Sequence, residues 1–258
     1  MACTSAPSDR PLETGQWIWS AEDSARFSDA SRAIPQLVPT VWIGTIAASR
    51  DGRVESRLAL SPRIAGRDSA AVVIRFDDPF TNVWASRSDS AVADDVDAAL
   101  RRLIDAASGS GVRITEVQLD YDCPDRVLGR WSVVVDRVTR DALAGRVVWL
   151  TSLVTHIRHR EYGDLFRAQV AGHVLQVFDT GDRMSLSYAR QIERLAERQR
   201  MPFRLGVGAF ERRLPNGRTT DHRAWFGAED VMRQGRWYRG LWVFPGGGAW
   251  THLVDARR

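Results

Sequence analysis

The chain has 258 residues, 44% of them hydrophobic and 26% charged, the balance of an ordinary globular protein with room for a large core. No apolar run is long enough to span a membrane. All 36 basic residues are arginines, set against 32 carboxylates and interleaved with them. The net charge of +4 therefore reads as a solvated mixed-charge surface, and no nucleic-acid partner is expected.

Residues 1–14 read as a polar, disordered tail, and 15–258 as one domain. The Ala2-Cys3 junction in that tail resembles the start of a mature bacterial lipoprotein. It implies lipid on Cys3, membrane anchoring through it, and a place in the cell envelope on the periplasmic side. Beyond the tail, short β-branched and aromatic runs alternate with amphipathic stretches. Strands are expected at 16–19, 40–47, 71–76, 114–121, 146–154, 173–178, 203–210 and 240–244.

Helices are expected at 92–107, 126–143, 162–170, 185–199 and 225–233. The first of these puts Val96, Leu100, Leu103 and Ile104 on one stripe. Segment 51–69 has little helical period, and only some fourteen residues follow the last strand. Eight strands alternating with helices predict an α/β fold, a single irregular (β/α)8 TIM barrel. Its second helix is poorly formed and its last is short or missing.

The fourth strand carries the strongest chemical signal. Alternation puts Glu116, Gln118, Asp120 and Asp122 on one face and Val117, Leu119 and Tyr121 on the other. A barrel strand is normally apolar on both faces, and a buried ladder of carboxylates is costly unless each is paired or hydrogen-bonded. Two aspartates two residues apart also push their pKa values apart, so one carboxyl can stay protonated as a general acid. The plainer alternative ties both to arginines such as Arg75, which would lower both pKa values.

Active sites of such barrels lie at the carboxyl ends of the strands. Those ends carry Trp19, Asp77, Asp78, Asp120, Asp122, His156, Gln176, Asp179, Asp182, Glu211 and Trp242, so carboxylates from several strands converge on one mouth. Asp182 and Asp125 read as turn or cap residues. The ten tryptophans mostly suit the core, but Trp19, Trp42 and Trp242 are placed to stack on a sugar. No Gly-x-Ser-x-Gly elbow or phosphate loop is present, and Gly246-Gly247-Gly248 has neither lysine nor helix behind it. No cofactor or resident metal is expected, since the histidines lack zinc-type spacing.

Residues Val117 to Pro124, with Val72-Val73-Ile74-Arg75-Phe76-Asp77 upstream and Gly240-Leu241-Trp242-Val243-Phe244-Pro245 downstream, resemble the bacterial family called domain of unknown function 3142. That family has a glycoside hydrolase-like barrel and a Gln-x-Asp-x-Asp signature, which Gln118, Asp120 and Asp122 match. The same strand is distantly similar to that of family 18 chitinases. The comparison implies Asp122 as the general acid, Asp120 as an orienting carboxylate, Val177-Phe178-Asp179 as a substrate-contacting segment and Trp242 as the floor of the sugar site. The chain departs from that pattern with Asp in place of the catalytic glutamate and Gln118 in place of an aspartate.

The expected function is a glycoside hydrolase-like barrel acting on a polysaccharide or oligosaccharide. Asp122 and Asp120 would work with Asp179 or Glu211, and Gln118, Trp19, Trp42, Asp77, Asp78, His156, Gln176 and Trp242 would contact the carbohydrate. The alternative is a non-catalytic envelope polysaccharide-binding barrel. A weaker one is metal-assisted hydrolysis through Asp77, Asp120 and His156, which a chelator would abolish.

Overall fold

The computed structural model describes residues 12–178, 184–213, 217–220 and 222–245. Eight parallel strands close on themselves: β1 (Glu13–Ile18), β2 (Val38–Ala48), β3 (Ser69–Phe76), β4 (Arg113–Asp120), β5 (Val148–Leu153), β6 (Gly172–Gln176), β7 (Phe203–Gly208) and β8 (Tyr238–Phe244). Closure is made by β1, which pairs with β2 through Gly15–Val38 to Ile18–Val41 and with β8 through Glu13–Gly240 to Gln16–Val243. The chain is a (β/α)8 TIM barrel, as the alternation of short strands and helical stretches predicts.

Helices α1 (Ala21–Ala33), α2 (Asp89–Ser108), α3 (Leu128–Arg140), α4 (Val154–Arg158), α5 (Tyr162–Phe166), α6 (Leu186–Arg198) and α7 (His222–Met232) surround it. In α2, Val96, Leu100, Leu103 and Ile104 are all buried against the barrel, as their spacing requires. Segment 51–69 forms no α-helix. Its strand Val54–Leu58 pairs antiparallel with β2, and the 3-10 turn Pro62–Ala65 follows, filling the place of a helix. Helix α1 was not expected: it buries only Asp23, Phe27 and Ala30, too few apolar residues to give a period. The expected short or missing last helix falls in residues 246–258, outside the described residues.

Two layers hold the fold. The outer one, between barrel and helices, takes Val117, Leu119 and Tyr121 of the acidic strand and its continuation, with Val72, Ile74 and Phe76 of β3. The barrel interior is filled by Trp17, Val73, Trp149, Val174 and Trp242. Three indoles fit because glycines face them. A Cβ on Gly15 would stand 2.2 Å from Trp242, and one on Gly172 would stand 2.5 Å from Trp149. The fourth strand therefore turns its polar face inward, the register on which any site at the mouth depends.

Candidate active site

Height along the barrel axis separates the inward residues of β4. Glu116 lies deepest, where Arg204 of β7 reaches it at 2.7 Å and also bridges to Glu13. The Arg204 guanidinium is sandwiched between the rings of Trp149 and Trp242, 3.6 and 3.8 Å from their centroids. One layer up, the Gln118 amide donates to Glu116 at 2.8 Å and accepts from the Trp17 indole at 2.8 Å. Asp120, the last residue of β4, stands at the carboxyl end.

This placement corrects two expectations. Gln118 is fully buried and engaged by Trp17 and Glu116, so it belongs to the barrel interior and not to a substrate-contacting surface. Trp242 is also fully buried, with Arg204 on its ring, Gly15 packed against it, and its N–H donated to Thr40 at 2.9 Å. No face of that indole is presented at the mouth for a sugar. A cavity of about 710 Å³ does open at this deep end, lined by Glu13, Glu116, Trp149, Arg204, Arg239 and Trp242. It lies at the amino ends of the strands, opposite the face that carries catalysis in such barrels.

At the mouth, the Asp120 carboxylate accepts from the Gln176 amide at 3.2 Å. The Thr151 hydroxyl beside it accepts the Tyr121 amide at 3.2 Å. Burial pushes the Asp120 pKa up, and it outweighs the Thr151 hydroxyl, the Arg75 guanidinium and the Gln176 amide, which pull it down. The reading in which arginines clamp this carboxyl and lower its pKa does not hold for Asp120. Asp122 follows the strand and is exposed.

Asp77 begins the 3-10 segment Asp78–Ala85. Burial raises its pKa, while the amides of Ala48 and Phe80 and the Arg57 charge oppose the rise. Asp78 and Glu211 are exposed, and Asp179 and Asp182 lie outside the described residues. His156 is not at the mouth. It is buried in α4 beneath the loop after β4, where its Nδ1 accepts from the Leu153 amide at 3.2 Å and its Nε2 donates to the Cys123 carbonyl at 2.8 Å. Both ring nitrogens are spent on backbone, and burial lowers its pKa. It ties down the loop that carries Asp122 and is closed off from solvent. Asp77, Asp120 and His156 are not brought together, and no cluster of three metal-ligating side chains occurs among the described residues.

Trp19 and Trp42 are half-buried, their rings 5.4 Å apart. Phe244 adjoins Trp19 at 5.9 Å, and Phe178 adjoins Phe244 at 6.0 Å, giving an aromatic wall around the mouth. The sequence reading missed Phe244 as a wall residue. It shares a strand face with Trp242 and lies two residues nearer the carboxyl end, the signal that marks it. Arg75, opposite Asp120 in the β3–β4 register, also belongs to this rim.

Comparison with known proteins matches the fold. A chitinase from Chromobacterium violaceum superposes with a TM-score of 0.66 at 11% identity, over 95% of this chain and 98% of that one. The spore cortex-lytic enzyme SleL of Bacillus cereus gives 0.62 at 13% identity, over 95% of this chain and 74% of its own. The xylanase and alpha-amylase inhibitor protein XAIP-II of Scadoxus multiflorus gives 0.60 at 10%, over 95% and 96%. No protein-family model matches the chain, that of domain of unknown function 3142 included, and no curated protein matches it in sequence. The chain thus shares its (β/α)8 barrel fold with this chitinase, this spore cortex-lytic enzyme and this inhibitor protein.

Proposed function

We propose that this barrel is a glycoside hydrolase whose carboxylate pair, Asp122 and Asp120, sits at the carboxyl end of β4. The observation that carries the reading is the contrast between the two. Asp120 is buried and hydrogen-bonded, with its pKa raised by burial, while Asp122 is exposed. Asp122 would deliver its proton to the glycosidic oxygen as the bond from that oxygen to the anomeric carbon breaks. Asp120 would share its own proton with the carboxylate left behind, stabilising it. A second carboxylate, Asp179 or Glu211, would then attack the anomeric carbon or activate water. A separation of about 5 Å from Asp122 gives retention and roughly 6.5–9.5 Å gives inversion. Trp19 and Trp42 would hold the sugar ring.

The second reading, a binding barrel without turnover, is favoured by Asp in place of glutamate at position 122 and by a fold neighbour described as an inhibitor. Both are tested by incubating the protein with an oligosaccharide panel and comparing Asp122→Asn. Loss of about a thousandfold or more in kcat, with affinity kept within a few-fold, is the expected result. Binding without turnover in the unaltered protein establishes the second reading, and an Asp122→Asn enzyme of full activity refutes the assignment.

We further propose that lipid on Cys3 anchors the protein in the bacterial envelope. Equal fatty-acid labelling of the Cys3→Ser form would remove that anchor.

A further inference from the structure

The inward face of β3 changes character along its length. Ala71 and Val73 are buried inside the barrel, and Arg75, the next residue on the same face, emerges exposed at the mouth. Its guanidinium lies 5.9 Å from the Trp19 ring and stands opposite Asp120 in the strand register. No hydrogen bond and no ion pair within 4 Å engages Arg75 among the described residues, whereas Arg26, Arg87, Arg130, Arg137 and Arg204 are all tied to carboxylates. Arginine is the only strong cation in this chain, so its choice over lysine says nothing. Its position does: a cation with no hydrogen bond or ion pair among the described residues is held at the rim of an aromatic-walled mouth.

We propose that the mouth takes an acidic saccharide, with Arg75 binding the carboxylate of a ring that stacks at Trp19 and Trp42. The inference rests on the carbohydrate reading above and specifies its substrate class. A guanidinium presents two parallel N–H groups that match a carboxylate, and a hexuronic acid carries that group directly on the ring the indoles would hold. The facing carboxyl does not compete strongly. Asp120 makes no ion pair with Arg75, and its burial favours the neutral form. A neutral sugar such as a chitin oligomer would leave the arginine unused.

The test is binding by titration calorimetry at low salt, with acidic oligosaccharides (galacturonate, alginate, hyaluronan and muramic acid-containing glycans) beside neutral ones (chito-, cello- and xylo-oligosaccharides). The unaltered protein should prefer one acidic series by about tenfold or more, and its methyl ester should lose that preference. Arg75→Gln should weaken acidic binding by about the same factor, flatten its salt dependence and leave the melting temperature unchanged. A preference for neutral glycans, or equal loss of both in Arg75→Gln, overturns the acidic-substrate inference while the carbohydrate reading stands. No binding to any glycan overturns both.

Discussion

The deep end of the barrel allows the sharpest structural prediction, the replacement Arg204→Met. Arg204 and Glu116 are nearly fully buried and 2.7 Å apart, while Glu13, the other partner, is half exposed. Methionine keeps the length of the stem and a polarisable contact with Trp149 and Trp242, so little packing is lost. What remains is the Glu116 carboxylate with only the Gln118 amide against it. Removing one partner of a buried pair costs about 3–5 kcal/mol, a large share of a typical total stability of about 5–15 kcal/mol. Losing the two guanidinium–indole contacts adds to that cost. The double variant Arg204→Met with Glu116→Gln should regain most of the loss, because the neutral amide has little desolvation to repay. Urea unfolding at neutral pH, followed by tryptophan fluorescence, reads both. An Arg204→Met protein within about 0.5 kcal/mol of the unaltered one, or a double variant no better than the single, would refute the buried-charge account.

The remaining predictions concern the mouth and the interior. Burial raises the folded-state pKa of Asp120 above the ~3.9 of an unfolded chain, so the folded state binds more protons between those two values and stability falls as pH rises through them. Asp120→Asn should therefore gain stability on the unaltered protein as pH rises from about 3 to 8 while losing activity, and a stability difference independent of pH argues against it. Gly15→Ala would drive a methyl into Trp242 and should cost about 1–3 kcal/mol in thermal or urea unfolding. An unchanged melting temperature would show that the interior is not packed as described.

The eight strands were legible because each is a short β-branched or aromatic run bounded by polar residues, and the barrel follows from their number and alternation. Helix α1 was not, since only Phe27 and Ala30 supply an apolar face. Its start was nonetheless written in the chain, for Ser20 caps the helix by accepting the Asp23 amide. The site divides the same way. A period of two tells which face a residue takes, and it assigned Glu116, Gln118 and Asp120 to the interior. It cannot tell depth, because depth depends on how the strands tilt and stagger around the closed barrel. Gln118 and Trp242 were therefore assigned to the mouth when they lie one layer or more below it. His156 was misplaced for another reason: the chain leaves β5 directly into α4, which turns the ring outward under the neighbouring loop.

Depth also explains how one strand carries three polar residues into a barrel. Each meets the cost of burial differently. Glu116 takes a buried arginine, held flat between two indoles. Gln118 is neutral and finds both a donor and an acceptor within the interior. Asp120 has neither an ion pair nor a neutral side chain of its own; an amide, a hydroxyl and a distant guanidinium leave its charged form still disfavoured. A carboxyl left poised in this way is costly to the fold, since its charged form is incompletely compensated. Under the proposed reading it would serve as a proton reservoir, with Arg75 and an aromatic wall at the same mouth. The lower two residues are solved as structure, and the third is the one whose raised pKa the proposed chemistry would use.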